Sequence, residues 1–138
     1  QSSSQWSNFA ISDEVLQESW AKDLPIAAAR KLDTITYCFT SGYSRQLHKA
    51  TGSLLLVPEK DQDSSSTVSE DFALRYSNQV RRFTPKELLK LFGFPSSFSF
   101  PEQTTIEHQY RLIGNSISVF VVAKLMGELL NGQECESI

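Results

Sequence analysis

Hydrophobic residues come in short bursts along this chain, cut by polar stretches, and one burst dominates. From Arg111 to Leu125 it runs Arg-Leu-Ile-Gly-Asn-Ser-Ile-Ser-Val-Phe-Val-Val-Ala-Lys-Leu. Apolar residues at 122, 125, 126, 129 and 130 follow the i, i+3, i+4, i+7, i+8 spacing of a helix. Ile117, Val119 and Val121 also alternate like a strand, but about fifteen residues is long for a strand and ordinary for a helix. Asn115 and Ser116 mark the start, and Gly132 lies just past the end. Ser118, Lys124 and Glu128 are the only polar breaks, which predicts a mostly buried helix. Gly114 permits a close backbone approach or a positive φ, and Asn115 or Ser116 can cap the helix. The free N–H groups of that first turn could receive an anionic or polar ligand, although a plain capped core helix fits the same spacing.

The other bursts are shorter. Ser12-Asp13-Glu14-Val15-Leu16 reads as a helix start, with a capping Ser, early acids, then Leu16 and Trp20 four apart. Pro25 limits that helix, and Ala27 to Lys31 predict a short continuation. Thr34-Ile35-Thr36-Tyr37-Cys38-Phe39-Thr40 is rich in β-branched and aromatic residues and predicts a strand. Ser41-Gly42-Tyr43 and Thr51-Gly52-Ser53 are turns, and Leu54 to Val57 is a short buried strand ended by Pro58. Residues 59–71 are polar with almost nothing apolar to bury, which predicts an exposed loop. Phe72 to Tyr76 restart order as a short helix. Thr84-Pro85-Lys86-Glu87 is a capping box with Pro at the first helical position. Leu88, Leu89, Leu91 and Phe92 supply the buried face of that helix, and Gly93 stops it. A Phe/Pro loop at 94–101 is expected to pack on the core, and Thr105 to Tyr110 to lead into the terminal helix.

Composition narrows this picture. The 138 residues are 40% hydrophobic and 21% charged, which suits one globular domain or a piece of one. A net charge of −3 gives no global basic field for nucleic acid. Locally, Arg81, Arg82, Lys86 and Lys90 put four positive charges around one short helix, either as a solvated face or as a contact to a nucleic-acid backbone. Cys38 and Cys135 are too far apart for a disulfide framework, and His48 and His108 complete no metal-ligand set. No run of about 18 apolar residues occurs, and the first residues lack a basic-then-apolar signal pattern. The chain starts with Gln1 and its one Met is Met126, so the expectation is a piece of something longer.

Three stretches, in order, are more specific than these patterns. Arg81-Arg82-Phe83-Thr84-Pro85-Lys86-Glu87 with Gly93-Phe94-Pro95 resembles the ninth conserved block of the cytosine-C5 methyltransferases. Tyr110-Arg111-Leu112-Ile113-Gly114-Asn115-Ser116 with Val121-Val122-Ala123-Lys124-Leu125 resembles their tenth and last block. Cys38-Phe39-Thr40, then Gly42-Tyr43, then Thr51-Gly52-Ser53, resembles the signature of the branch that methylates transfer RNA (aspartate tRNA) while looking like a DNA methyltransferase. The resemblance spans roughly residues 13–130, with 59–71 unmatched.

The resemblance implies an α/β fold. The chain would be the C-terminal part of a Rossmann-like S-adenosylmethionine-dependent methyltransferase, with a small irregular α+β target-recognition region. Its expected divisions are a flexible segment at 1–12, target recognition at 13–80 with a disordered loop at 59–71, blocks nine and ten at 81–132, and a tail at 133–138. The resemblance further implies that Ser116 and Asn115 line the methyl-donor pocket, with S-adenosyl-L-methionine as cofactor. Tyr37, Phe39, Thr40, Tyr43, Arg81, Arg82 and Lys86 are the candidate RNA-binding residues, the aromatic ones by stacking on an unpaired base; a packed aromatic core is the alternative for Phe39. The family's nucleophilic Cys follows a Pro, and its partner Glu sits in a Glu-Asn-Val block; neither occurs here, nor does the Gly-rich donor loop. No catalytic residue and no metal ligand is therefore assigned, and the chain alone is expected to be inactive. Its expected partners are tRNA, with DNA as a second nucleic-acid candidate, and the N-terminal catalytic half, with no membrane, and its expected location is cytoplasmic or nuclear or both. Two alternatives stand beside this reading: a fragment of a DNA cytosine-C5 methyltransferase, and a non-catalytic RNA-binding or interaction module derived from the enzyme.

Overall fold

The computed structural model of the chain describes residues 7–28, 35–57 and 71–131. The expectations for residues 1–6, Lys31, Thr34, Pro58, the loop to 70, Cys135 and the tail lie outside the described residues.

Three short strands form the centre. They are β1 (Ile26–Ala28), β2 (Leu54–Leu56) and β3 (Val80–Arg82), in the order β1-β2-β3. The β1–β2 pair is parallel and the β2–β3 pair antiparallel, with Ala27, Leu55 and Arg81 in one row. Successive side chains on a strand point to opposite faces, so three residues suffice to separate two cores. On one face Ala27 and Leu55 join Phe39, Tyr43, Phe83, Leu88, Leu89, Tyr110 and Ile113. On the other, Leu54 and Val80 join Ile11, Leu16, Ala21, Leu24 and Ala73.

Helices α1 (Asp13–Gln17) and α2 (Phe72–Tyr76), with a 3-10 turn at Ser19–Asp23, pack on the second face. Asp71 caps α2 by accepting from the Ala73 N–H at 3.0 Å. Helices α3 (Pro85–Leu91) and α4 (Ile106–Gly114) cover the first face. The capping box on α3 is complete: Thr84 Oγ1 accepts from the Glu87 N–H, and Glu87 accepts from the Thr84 N–H. Gly93, at φ +80°, ends the helix in the left-handed conformation that favours glycine. Phe94 and Phe100 of the following loop lie partly buried against the same core.

Several expectations change. Ala27 continues no helix; Pro25 closes the 3-10 turn and Ile26–Ala28 becomes a strand because its backbone meets β2. Residues 35–40 form no strand: the Tyr37 and Thr40 N–H groups bond to Ser53 Oγ and the Thr51 carbonyl, so the 51–53 turn, not a partner strand, takes them. The expected division at 80 falls inside β3. Ala10 and Ile11, expected in a flexible segment, pair with β3, and Ile11 is buried. Leu91 faces outward, unlike Leu88 and Leu89.

The final apolar burst is two helices. Residues 106–114 form α4, and α5 (Val119–Asn131) begins only at Val119, so Asn115 caps the end of α4 and not the start of the next helix. The stretch from Ile106 to Leu130 is apolar and long enough in composition to cross a membrane, but the break at 115–118 interrupts it and Tyr110 and Ile113 lie in the core. Within the described residues the apolar face of α5 is uncovered: Phe120, Leu125, Leu129 and Leu130 are all exposed, Leu130 at 68%. Its first turn is held by the Val119 N–H donating to the Phe92 carbonyl at 2.7 Å and by the Phe120 ring lying over Gly93.

Two tyrosines hold the first core to the start of α3. Tyr43 Oη donates to the Ser53 carbonyl at 2.7 Å and accepts from the Phe83 N–H at 2.9 Å. Tyr110 Oη donates to the Phe83 carbonyl. Burial raises both phenols above their ordinary range, so both stay protonated donors. Tyr43→Phe would leave the buried Phe83 N–H and Ser53 carbonyl without that hydroxyl, at a cost of about 1–3 kcal/mol. The expected readout is an earlier urea midpoint. Because the folded-state phenol value is raised, the stability it carries is whole below about pH 10 and falls as pH rises beyond it. Urea midpoints of the parent should therefore drop above pH 10, and less steeply in the variant.

Candidate functional site

Arg81 sits in the central row of the sheet, on the face of the first core, and is buried. Its guanidinium grips Glu87 with two bonds of 2.8 and 2.7 Å and donates to the Arg82 carbonyl. Burial alone would raise the Glu87 carboxyl, but the bonds from Arg81 and Thr84 outweigh it and hold the carboxyl below the ordinary glutamate range. Arg81 is thus committed to tying β3 to the first turn of α3, and its assignment to RNA is corrected on that ground. Lys86 and Lys90 are exposed, and Arg82 is half-buried.

Two other aromatic candidates are corrected in the same way. Phe39 and Tyr43 are core residues, with ring centroids 5.1 Å apart at right angles. Phe39 also meets Phe83 at 5.3 Å, and Tyr43 meets Tyr110 at 5.4 Å. Neither ring is free to stack on a base. Tyr37 is 54% exposed and keeps that possibility; Thr40 is half-buried, its N–H donating to the Thr51 carbonyl.

One crossing brings the Cys-Phe-Thr stretch and the Gly-Asn-Ser turn together. The Thr40–Ser41 backbone passes so close over Gly114 that any Cβ there would overlap Ser41 N and the Thr40 carbonyl group. Gly114 has no positive φ, so the close approach is what it serves. Beside this crossing opens a cleft of about 510 Å³. Its walls are Thr36 to Phe39 on one side, Leu91 and Phe92 on the second, and Gly114 with Ser116 to Ser118 on the third.

The cleft's polarity differs from the one the sequence predicts. Ser116 lies just past the C-terminal end of α4, the negative end of a helix, and not at an N-terminus. Its N–H and its hydroxyl both donate to the Ile113 carbonyl, at 2.9 and 2.6 Å. What Ser116 offers inward is therefore an acceptor oxygen, suited to a donor or cationic group and not to an anion. Ser116 lines the cleft, while the exposed Asn115 does not. Leu91, Ile117, Ser118 and Cys38 also line it and were not candidates; Leu91 belonged by pattern to a core face, and no local spacing pointed to the others. No cluster of metal-ligating residues occurs among the described residues.

Comparison with known proteins adds to this geometry. The sequence profile for C-5 cytosine-specific DNA methylase matches residues 1–131. The chain is 47% identical over 96 residues to a tRNA (cytosine(38)-C(5))-methyltransferase of Bos taurus, covering 64% of this chain and 24% of that protein. It is 35% identical over 127 residues to the tRNA (cytosine(38)-C(5))-methyltransferase of Schizosaccharomyces pombe, covering 91% of this chain and 36% of that one. The chain therefore spans about a quarter to a third of the length of these relatives. Among solved structures, the S. pombe Dnmt2 methyltransferase superposes with a TM-score of 0.76 at 31% identity, over 97% of this chain and 41% of that chain.

Two glycine variants test the crossing. Gly114→Ala should force Thr40–Ser41 off α4 and cost about 1–3 kcal/mol, seen as a lower melting temperature. Gly127→Ala, with nothing within 4 Å of the added carbon on exposed α5, should instead gain about 0.5–1 kcal/mol. For the ion pair, the depressed Glu87 value means its stability is present above the ordinary glutamate value and lost as pH falls through the folded one. Melting temperature should drop as pH falls below the ordinary glutamate value, and Glu87→Gln should flatten that drop.

Proposed function

This chain belongs to the C-5 cytosine-specific DNA methylase family, and we propose that it is the C-terminal region of an S-adenosylmethionine-dependent tRNA cytosine-C5 methyltransferase. The observation that carries this is the shared cleft. The Cys-Phe-Thr stretch and the Gly-Asn-Ser turn lie 74 or more positions apart (114 − 40), yet they form two walls of one opening. Identity to tRNA-directed relatives supports RNA over DNA.

The residues present fit part of the donor. When bound, S-adenosylmethionine supplies an electrophilic methyl group beside a positively charged sulfur. An acceptor oxygen at Ser116, next to the negative end of α4 and the apolar Phe92 and Ile117, suits a cationic ligand with an apolar body. Asn115, the C-cap of α4, does not line the cleft. Tyr37 offers a half-exposed ring for an unpaired base that has left its stack. C5 of cytosine is a poor nucleophile, so the chemistry needs a thiolate that adds to C6 and activates C5. In this reading that thiolate lies outside these 138 residues, since neither Cys38 nor Cys135 follows a Pro. The exposed apolar face of α5 suits burial against the rest of the enzyme, which makes a free-standing module the weaker reading. The proposed location is cytoplasmic or nuclear, where transfer RNA is found.

Joining this chain to the N-terminal part of a relative should yield a protein that binds S-adenosylmethionine in calorimetry and methylates tRNA faster than duplex DNA. Ser116→Ala in that protein should weaken donor binding about tenfold, the worth of one hydrogen bond. A joined, folded protein that binds no donor overturns the proposal.

A further inference from the structure

The Thr40–Ser41 crossing begins a loop whose far end helps to form a smaller opening. The loop is closed at its base by the Thr40 N–H donating to the Thr51 carbonyl. Its far end is tied around the Thr51 side chain. The Thr51 hydroxyl lies 3.0 Å from the Gln46 carbonyl and 2.8 Å from the His48 carbonyl, and it accepts from the His48 N–H at 3.3 Å. This fixed end meets the 3-10 turn at Ser19–Asp23 around a pocket of about 300 Å³. Trp20, Asp23, Leu24, Leu47, His48 and Lys49 line it, and none of them lines the cleft described above.

The fold ties down the backbone here but leaves the lining side chains unspent. Trp20 is 43% exposed and stacks on no other ring among the described residues. The Asp23 carboxylate and the Lys49 ammonium make no ion pair among them. His48 Nδ1 accepts from the Ala50 N–H at 3.1 Å, so in the neutral ring the proton sits on Nε2 and can be donated outward. Leu24 and Leu47 supply an apolar floor continuous with the second core. Asp23 and Lys49 carry opposite charges, so the pocket suits a neutral ring and not an anion.

Such a lining accepts a flat body that stacks on indole and has a polar edge. A nucleobase has that form. Guanine alone among the four bases carries two adjacent donors, N1–H and the exocyclic amine, beside a carbonyl acceptor. The two acceptor oxygens of Asp23 match the donors, and the Nε2–H of His48 matches the carbonyl. A volume of about 300 Å³ is at the small end of ligand pockets and holds one base. We infer that this pocket takes an unpaired guanine of the substrate RNA, stacked on Trp20 and read by Asp23 and His48. The inference rests on the reading of the chain as part of an RNA-directed enzyme. Eight positions part Thr40 from His48 (48 − 40), so the pocket lies at most about 29 Å from the crossing. A guanine held there fixes which nucleotide of the same strand reaches the cleft. Trp20, Asp23 and His48 thus act on substrate choice and not on the chemical step.

The test compares two short single-stranded RNAs binding to the 138-residue chain, by fluorescence anisotropy. One is an oligouridylate with a single guanosine, the other the same strand with a single adenosine. The parent should prefer the guanosine strand about tenfold, the discrimination of one bidentate contact. Trp20→Ala should weaken the guanosine strand about tenfold, and Trp20→Phe should keep most of the affinity because a ring remains. Asp23→Asn should bring the ratio of the two affinities close to one. Glu14→Gln, an equal charge change on the exposed side of α1, should leave that ratio as it is. Asp23 is exposed, so Asp23→Asn decides the matter even if Trp20→Ala does not fold. A guanosine preference that Asp23→Asn leaves intact overturns the pocket alone. A parent that binds both strands alike overturns the guanine assignment. A Trp20 indole N–H signal in NMR that shifts with guanosine monophosphate but not with RNA would show a free-nucleotide site and overturn the RNA assignment. No RNA binding by the parent chain overturns the pocket together with the reading beneath it.

Discussion

The Phe83 peptide is gripped from both sides. Tyr43 accepts its N–H and Tyr110 donates to its carbonyl, and the two phenols lie in contact, edge to face. The three residues come from the turn after the Cys-Phe-Thr stretch, the strand-to-helix corner at β3 and α3, and the middle of α4. A peptide buried among apolar side chains must find partners for its polar groups, or it costs stability. Here the partners are two side chains that also fill the core. The clamp aligns three segments separated by 27 and 40 positions.

The cleft inherits its geometry from that clamp. Tyr43 fixes the 41–45 turn, which sets where Thr40 and Ser41 run. Tyr110 fixes α4, which sets where Gly114 lies. Their crossing at Gly114 is then a consequence, and the cleft opens beside it. The Arg81–Glu87 pair does comparable work one strand away, tying β3 to α3. A basic residue in a conspicuous Arg-Arg pair thus serves folding.

Helix α5 is the part this clamp does not reach. Its first turn is pinned to the end of α3, and beyond that its leucines face outward. The amphipathic spacing is real but has no surface among the described residues to bury against. The helix is therefore shaped for something beyond these contacts, as the proposed enzyme would provide.

Local chemistry was legible in the sequence wherever the interaction is local. The Thr84 capping box, the Gly93 stop and the Phe72-to-Tyr76 restart of order depend on residues a few positions apart and stand as read, and the strand expected over Leu54 to Val57 stands one residue shorter. The family was legible too, because its blocks are contiguous runs. What only the tertiary structure decided involves partners far apart in the chain. Residues 35–40 have strand composition but lose their strand to the 51–53 turn. Phe39, Tyr43 and Arg81 have the chemistry of RNA contacts but are taken by the core and by Glu87. Asn115 and Ser116 have the chemistry of an N-terminal cap but end α4, because Tyr110 and Ile113 draw residues 106–114 into a helix of their own. Propensity and spacing report what a residue can do; burial and long-range pairing decide which of those things it does.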